Sequence, residues 1–162
     1  MNRRQSGFTL VELLMVTAII AIIASIALMN YLGALQKAKE KKTMTDIRTI
    51  ASAWEARATE TNSFTAAGMA FPDTTLTWEQ MNAALSPTYS RNIPRFDGWG
   101  REFGFGVDGP KDYAIRSPGR DGKFDSDYVA GATNNPDCDI VYANGTFVVY
   151  PDSMVAQTQS QN

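Results

Sequence analysis

Glu12 is the one charged side chain between Phe8 and Gln36, inside an otherwise apolar run. A carboxylate in a lipid-facing helix costs about 2.5–3.5 kcal/mol by insertion scales, so a chain that keeps one must give it a partner. A cut between Gly7 and Phe8 would create that partner. The new α-amino group of Phe8 is a cation within one helical turn of Glu12 on a neighbouring subunit, so the pair works as an assembly device. A second set of residues with chemistry to offer lies far downstream, where Asp121, Asp125, Asp127, Asp137 and Asp139 fall in a stretch rich in glycine and asparagine. Calcium takes six to eight oxygens from carboxylates and carbonyls in flexible geometry, and such a loop can supply them. The spacing is not that of an EF-hand, and the alternative is a solvated loop whose Asp and Gly residues make turns.

Other chemistry is poorly served. The chain has no histidine and a single cysteine, Cys138, which argues against zinc and rules out an intrachain disulfide. No Ser or Cys nucleophile has an evident base, and no glycine motif cradles a phosphate, so an enzyme is the least favoured class. The full chain carries 15 basic and 17 acidic residues, net −2, and loss of Arg3 and Arg4 with a leader would take it to −4. That balance gives no case for nucleic-acid binding. Lys37, Lys39, Lys41 and Lys42 are interrupted by Glu40 and suit a solvated helix face. A membrane-anchored binding module using that face is the rival class; it predicts an uncut monomer whose DNA affinity falls steeply with salt.

These groups must be positioned by a membrane helix and a folded domain. Phe8 to Met29 is apolar or small apart from Glu12, and at about 1.5 Å per residue it spans about 30 Å of hydrocarbon. Residues 1–7, MNRRQSG, form the expected leader, residues 8–30 the membrane half of a helix, and 31–61 its amphipathic half. Ser25-Ile26-Ala27 could serve an ordinary secretory signal, and an uncut single-span anchor is also open. Neither explains the carboxylate or the glycine directly before the apolar run. The four lysines after the segment outnumber the two arginines before it, which by charge alone would keep the C-terminal domain in the cytoplasm.

Helical periodicity continues past the membrane. Ile47, Ile50, Ala51, Trp54 and Ala58 make one apolar stripe, with Asp46, Arg48, Glu55 and Arg57 on the other face. One helix to about Thr61 is expected, with Trp54 as a core anchor. Asn62 to Thr75 reads as a loop, Thr77 to Gln80 as a capping box opening a short helix to Leu85, and Ser86 to Gly100 as irregular. Strands are expected at Glu102–Val107 and Asp112–Arg116 around Asp108-Gly109, and at Asp139–Ala143 and Thr146–Tyr150 around Asn144-Gly145, with Pro151 ending the last. Residues 62–156 thus form one globular domain and 157–162 a disordered tail. The class is α+β, a long helix on an antiparallel sheet.

The run Gly7-Phe8-Thr9-Leu10-Val11-Glu12-Leu13 resembles the processing site of type IV prepilins and type II secretion pseudopilins. The resemblance implies leader removal after Gly7 by a prepilin peptidase, N-methylation of Phe8, and Glu12 as the assembly residue. It also implies a homo-oligomeric helical filament, built from the bacterial inner membrane on an assembly platform with minor pseudopilins, and a C-terminal domain in the periplasm. This outweighs the lysine count. Ala21 and Met29 stand where the family usually has a helix-interrupting glycine and proline.

Asp97-Gly98-Trp99-Gly100, Ser117-x-Gly119-x-Asp121-Gly122 and a late Asp-x-Asp are similar to the C-terminal region of major pseudopilins, where the loop holds a structural calcium. The implied ligands are Asp121, Asp137 and Asp139, with carbonyls of Arg116 or Ser117; Asp125 and Asp127 compete because Phe124 to Asn135 reads as an insertion. Gly98 replaces the usual proline. The expected function is the major pseudopilin of a type II secretion system, with the major subunit of a type IV pilus, used for adhesion, twitching or DNA uptake, as the alternative. A minor, priming subunit is a further variant, disfavoured by Glu12.

Overall fold

A computed structural model of the chain describes residues 8–64, 76–127 and 129–152. The expected loop between Asn62 and Thr75 lies outside the described residues from position 65 onward, as do the leader and the 157–162 tail. The chain divides after Gln36 into two units, although helix α1 (Leu10–Thr61) is continuous through the division.

In the first unit every residue from Phe8 to Leu35 is exposed. Leucine and isoleucine side chains here stay exposed among the described residues, as side chains that lipid or other subunits would cover do. The few polar side chains of the apolar segment are satisfied within their own helix. Thr17 Oγ1 donates to the Leu14 carbonyl at 3.0 Å and Ser25 Oγ to that of Ile22 at 2.7 Å. In hydrocarbon, where no water can replace such bonds, this internal pairing is required.

In the second unit the expected stripe of α1 is the core. Ile47, Ile50, Ala51, Trp54 and Ala58 are all buried, and Trp54 packs edge-on against Phe105 and close to Tyr113, its Nε1 donating to the Phe64 carbonyl at 2.9 Å. The polar face needs one correction. Arg57 is 7% exposed rather than solvated, and close by on α1 Glu60 accepts from Tyr89 Oη. Glu55 is half-buried and accepts from Tyr113 Oη. Helix α2 (Trp78–Leu85) opens on the expected capping box, in which Thr77 and Gln80 each bond the other's backbone N–H.

Five strands form one sheet in the order β1-β2-β4-β5-β3: β1 (Gly104–Asp108), β2 (Asp112–Ser117), β3 (Gly131–Thr133), β4 (Ile140–Ala143) and β5 (Thr146–Pro151). The expected hairpins are present. Asn144 and Gly145 both take positive φ, 49° and 89°, as a two-residue hairpin turn needs, and the Asn144 side chain ties the turn to Asp112 and Tyr113 of β2. The sheet is not wholly antiparallel as expected. Strand β3 lies parallel to β5, pairing Gly131 with Val149 and Thr133 with Pro151. A three-residue strand between turns shows no alternation in sequence, and its partner lies beyond strand β4 and a turn.

Gly98 has a local reason. A Cβ there would sit 2.2 Å from the Lys39 carbonyl oxygen of α1, while its N–H donates to Thr43 Oγ1 at 2.9 Å. A proline would clash and lose that donor. Gly98→Ala is expected to cost about 2–3 kcal/mol by overpacking, read as a lower unfolding midpoint of the detergent-solubilised chain.

Candidate functional site

The N-terminal site is assembled by α1 itself. Thr9 precedes the helix, and Glu12 lies in its first turn. Glu12 Oε2 accepts from Thr9 N at 2.9 Å and from Thr9 Oγ1 at 2.8 Å, and Glu12 N approaches Thr9 Oγ1 at 3.3 Å. This is a reciprocal capping box, in which the carboxylate also sits at the positive end of the helix dipole. Before any neighbour arrives, Glu12 is therefore hydrogen-bonded within its own chain. The sequence-derived site does not include Thr9, although Thr9-x-x-Glu12 has the same capping-box pattern as Thr77-x-x-Gln80. Phe8 is 82% exposed beside this box, and Gly7 lies outside the described residues.

The second site is the loop joining β2 to β4 around β3. Asp97 organises its base: it is buried, with Oδ1 accepting from Trp99 N and Arg101 N and Oδ2 from Ser117 Oγ at 2.6 Å. Ser117, a predicted ligand, is thus fully buried at the end of β2 with its hydroxyl donated to Asp97, and Arg116 precedes it in the strand opposite Val141. Gly119 has φ +64°, and a Cβ there would meet the carbonyl oxygens of Pro136, Asp137 and Cys138 at 2.7–3.0 Å, so glycine lets the two limbs of the loop close.

The aspartates separate by environment. Asp137 is held by Arg120 in a two-pronged pair at 2.8 and 2.7 Å, and that hydrogen bonding keeps its carboxyl below the usual range. Asp121 is exposed, its Oδ1 closing a turn onto Lys123 N at 3.0 Å. Asp127 is exposed. Asp125 and Asp139 are brought together: each backbone N–H approaches the other's Oδ2 at 3.3 Å. Asp139 is fully buried, and its Oδ1 has no hydrogen-bond partner among the described residues. Burial, with the fields of Asp125 and Asp121 added, pushes its carboxyl up to about 6 despite the Asp125 N–H and the Arg116 guanidinium.

A buried, half-unpaired carboxylate in a negative field suits a cation. Among the described residues, however, no three Asp, Glu or Cys side chains gather into a group able to hold one ion. Backbone carbonyls would have to supply much of any shell.

The raised carboxyl has a measurable sign. Asp139 ionises at about 6 when folded, against an ordinary value of 3.8, so its contribution is present at low pH and lost as pH rises through 6. In chelator the chain is expected to lose about 2 kcal/mol of stability between pH 4.5 and pH 7.5 from this group. Asp137, with its lowered carboxyl, acts only below that window. Asp139→Asn should flatten the slope in denaturant titrations.

Comparison with known proteins agrees with the N-terminal geometry. Residues 2–28 match the family model described as the prokaryotic N-terminal methylation motif. The chain is similar to the type II secretion system core protein G of Dickeya chrysanthemi, 32% identical over 149 residues that cover 86% of this chain and 85% of the relative. It is likewise similar to those of Pectobacterium carotovorum, 32% identical over 75% of this chain and 73% of the relative, and Vibrio cholerae, 30% over 76% and 78%. No solved structure gave a significant match. With one relative so similar over most of both chains, this chain belongs to the family of type II secretion system core protein G, the major pseudopilins.

Proposed function

We propose that this pseudopilin is cut after Gly7 by a prepilin peptidase, N-methylated at Phe8, and added subunit by subunit to a filament that rises from the bacterial inner membrane into the periplasm. The observation that carries this reading is the exposed apolar half of α1, opened by a carboxylate that its own Thr9 satisfies only provisionally. In the membrane the Thr9 box makes Glu12 tolerable; in the filament the Phe8 amine of a neighbour neutralises it. Helices bundle, the leucine and isoleucine side chains are covered, and repeated addition pushes cargo outward. The partners are other copies of the chain, the inner-membrane assembly platform and minor pseudopilins. The role is mechanical, not catalytic. A filament confined to the periplasm is the expected result of immunogold microscopy on native cells; long surface fibres would favour a pilus instead.

Calcium belongs to the same proposal as a structural staple for the acidic loop. Asp139, whose Oδ1 has no donor among the described residues, would hold it together with Asp125 and backbone carbonyls of the loop, and Asp121 would join by turning in from its bond to Lys123 N. Asp137 could join only by giving up Arg120, and Asp127 is not needed. The ion would supply charge neutralisation and loop closure, linking occupancy to folding. Asp121→Ala is expected to lower the melting temperature of the full-length protein in calcium but not in chelator. An equal loss in both would assign Asp121 to the turn it makes with Lys123.

A further inference from the structure

We propose that Arg116 is a cation built into the acidic loop to compete with the metal, so that it sets how much calcium is needed to fill the site. The inference rests on the calcium reading above and concerns how that site is controlled. Arg116 Nη1 lies 3.7 Å from Asp139 Oδ2 and 3.5 Å from the Asp125 carbonyl oxygen. The first distance is long for a charge-assisted bond, so the guanidinium attracts the carboxylate without completing its hydrogen bonding, and Asp139 Oδ1 keeps no partner among the described residues.

The arginine is held there rather than wandering. Its guanidinium carbon stands 4.6 Å from the centroid of the Phe124 ring, and that ring rests on Gly104 of β1, where a Cβ would come within 2.8 Å of Phe124 Cζ. Gly104 is the cross-strand partner of Arg116. The sandwich of glycine, ring and guanidinium fixes a long side chain that would otherwise lose entropy on pairing.

Two opposite consequences follow from one placement. Without metal, Arg116 offsets part of the charge that burial makes costly at Asp139, and so stabilises the loop. With a divalent ion bound at Asp139, the same guanidinium is a like charge within a few ångströms and weakens binding. Arg120 differs, since its two bonds to Asp137 remove that carboxylate from the competition altogether.

The test is a calorimetric calcium titration of full-length protein in detergent, paired with its melting temperature in chelator. Arg116→Gln is expected to bind calcium about tenfold more tightly than the parent while melting lower in chelator. Arg116→Lys, which keeps the charge, should show no such gain. Calcium binding by Arg116→Gln alone, with none by the parent, would be the strongest form of the same result. If the parent binds and Arg116→Gln binds equally or less well, the competition is overturned and the calcium reading stands. If neither binds, both fall. Should Arg116→Gln fail to fold, Phe124→Leu releases the clamp and keeps the charge; a gain in affinity of about twofold or more is then expected, and an unchanged value overturns the proposal.

Discussion

Chains carrying Glu12→Ala are expected to enter the membrane normally and to be at least tenfold depleted from filaments. Insertion should improve if anything, since the substitution removes the one charge between Phe8 and Gln36 and its cost of about 2.5–3.5 kcal/mol. Assembly should fail because the Phe8 ammonium of each mature subunit then enters the bundle with no carboxylate to meet. Truncating one member of a desolvated pair costs about 2–5 kcal/mol, much of it the charge left unpaired. Alanine also loses both Thr9 bonds, but an N-terminal cap is worth only about 1 kcal/mol, too little to explain such a depletion. Co-expression with the parent chain, followed by quantification of both in isolated filaments, reads the effect directly. Equal incorporation would remove charge neutralisation from the account.

Replacing Gly7 with leucine is expected to be more severe, leaving no filament. The uncut chain would keep Arg3 and Arg4 on the cytoplasmic side, and drawing the helix out of the membrane would pull both through hydrocarbon at about 2.5–3.5 kcal/mol each, even on the lenient scale. Phe8 would remain an amide, so Glu12 would have no cation to receive. The two losses arise from one uncut bond, which is why this substitution should exceed Glu12→Ala. Immunoblots showing a full-length, membrane-retained chain and no sheared filament are the expected outcome; normal filaments built from uncut chain would refute the processing motif.

What the sequence made legible was local or periodic. The stripe from Ile47 to Ala58, the Thr77–Gln80 box and the Asn144-Gly145 turn each carry their own spacing signature, and each is present in the fold. The contacts that sequence did not reveal join distant segments. Strand β3 finds β5 past the intervening strand β4 and its turn. Asp97 finds Ser117, and Phe124 lies on Gly104. Neither pairing has a periodic trace. Arg57 reads by its charge as solvent-facing, yet it is buried in the fold, and charge alone carries no signal of that. In the acidic loop the aspartates were visible as a set, but their division depends on which donor each one reaches: the Arg120 guanidinium for Asp137, the Lys123 N–H for Asp121, and each other's backbone N–H for Asp125 and Asp139.

The most direct measurement is the identity and methylation of the N-terminal residue of protein purified from native membranes. N-methylated Phe8, with residues 1–7 gone, is the expected result. A terminus at Met1 would mean a permanently anchored domain and one at Leu28 a secreted one, and either would contradict assembly through Phe8 and Glu12.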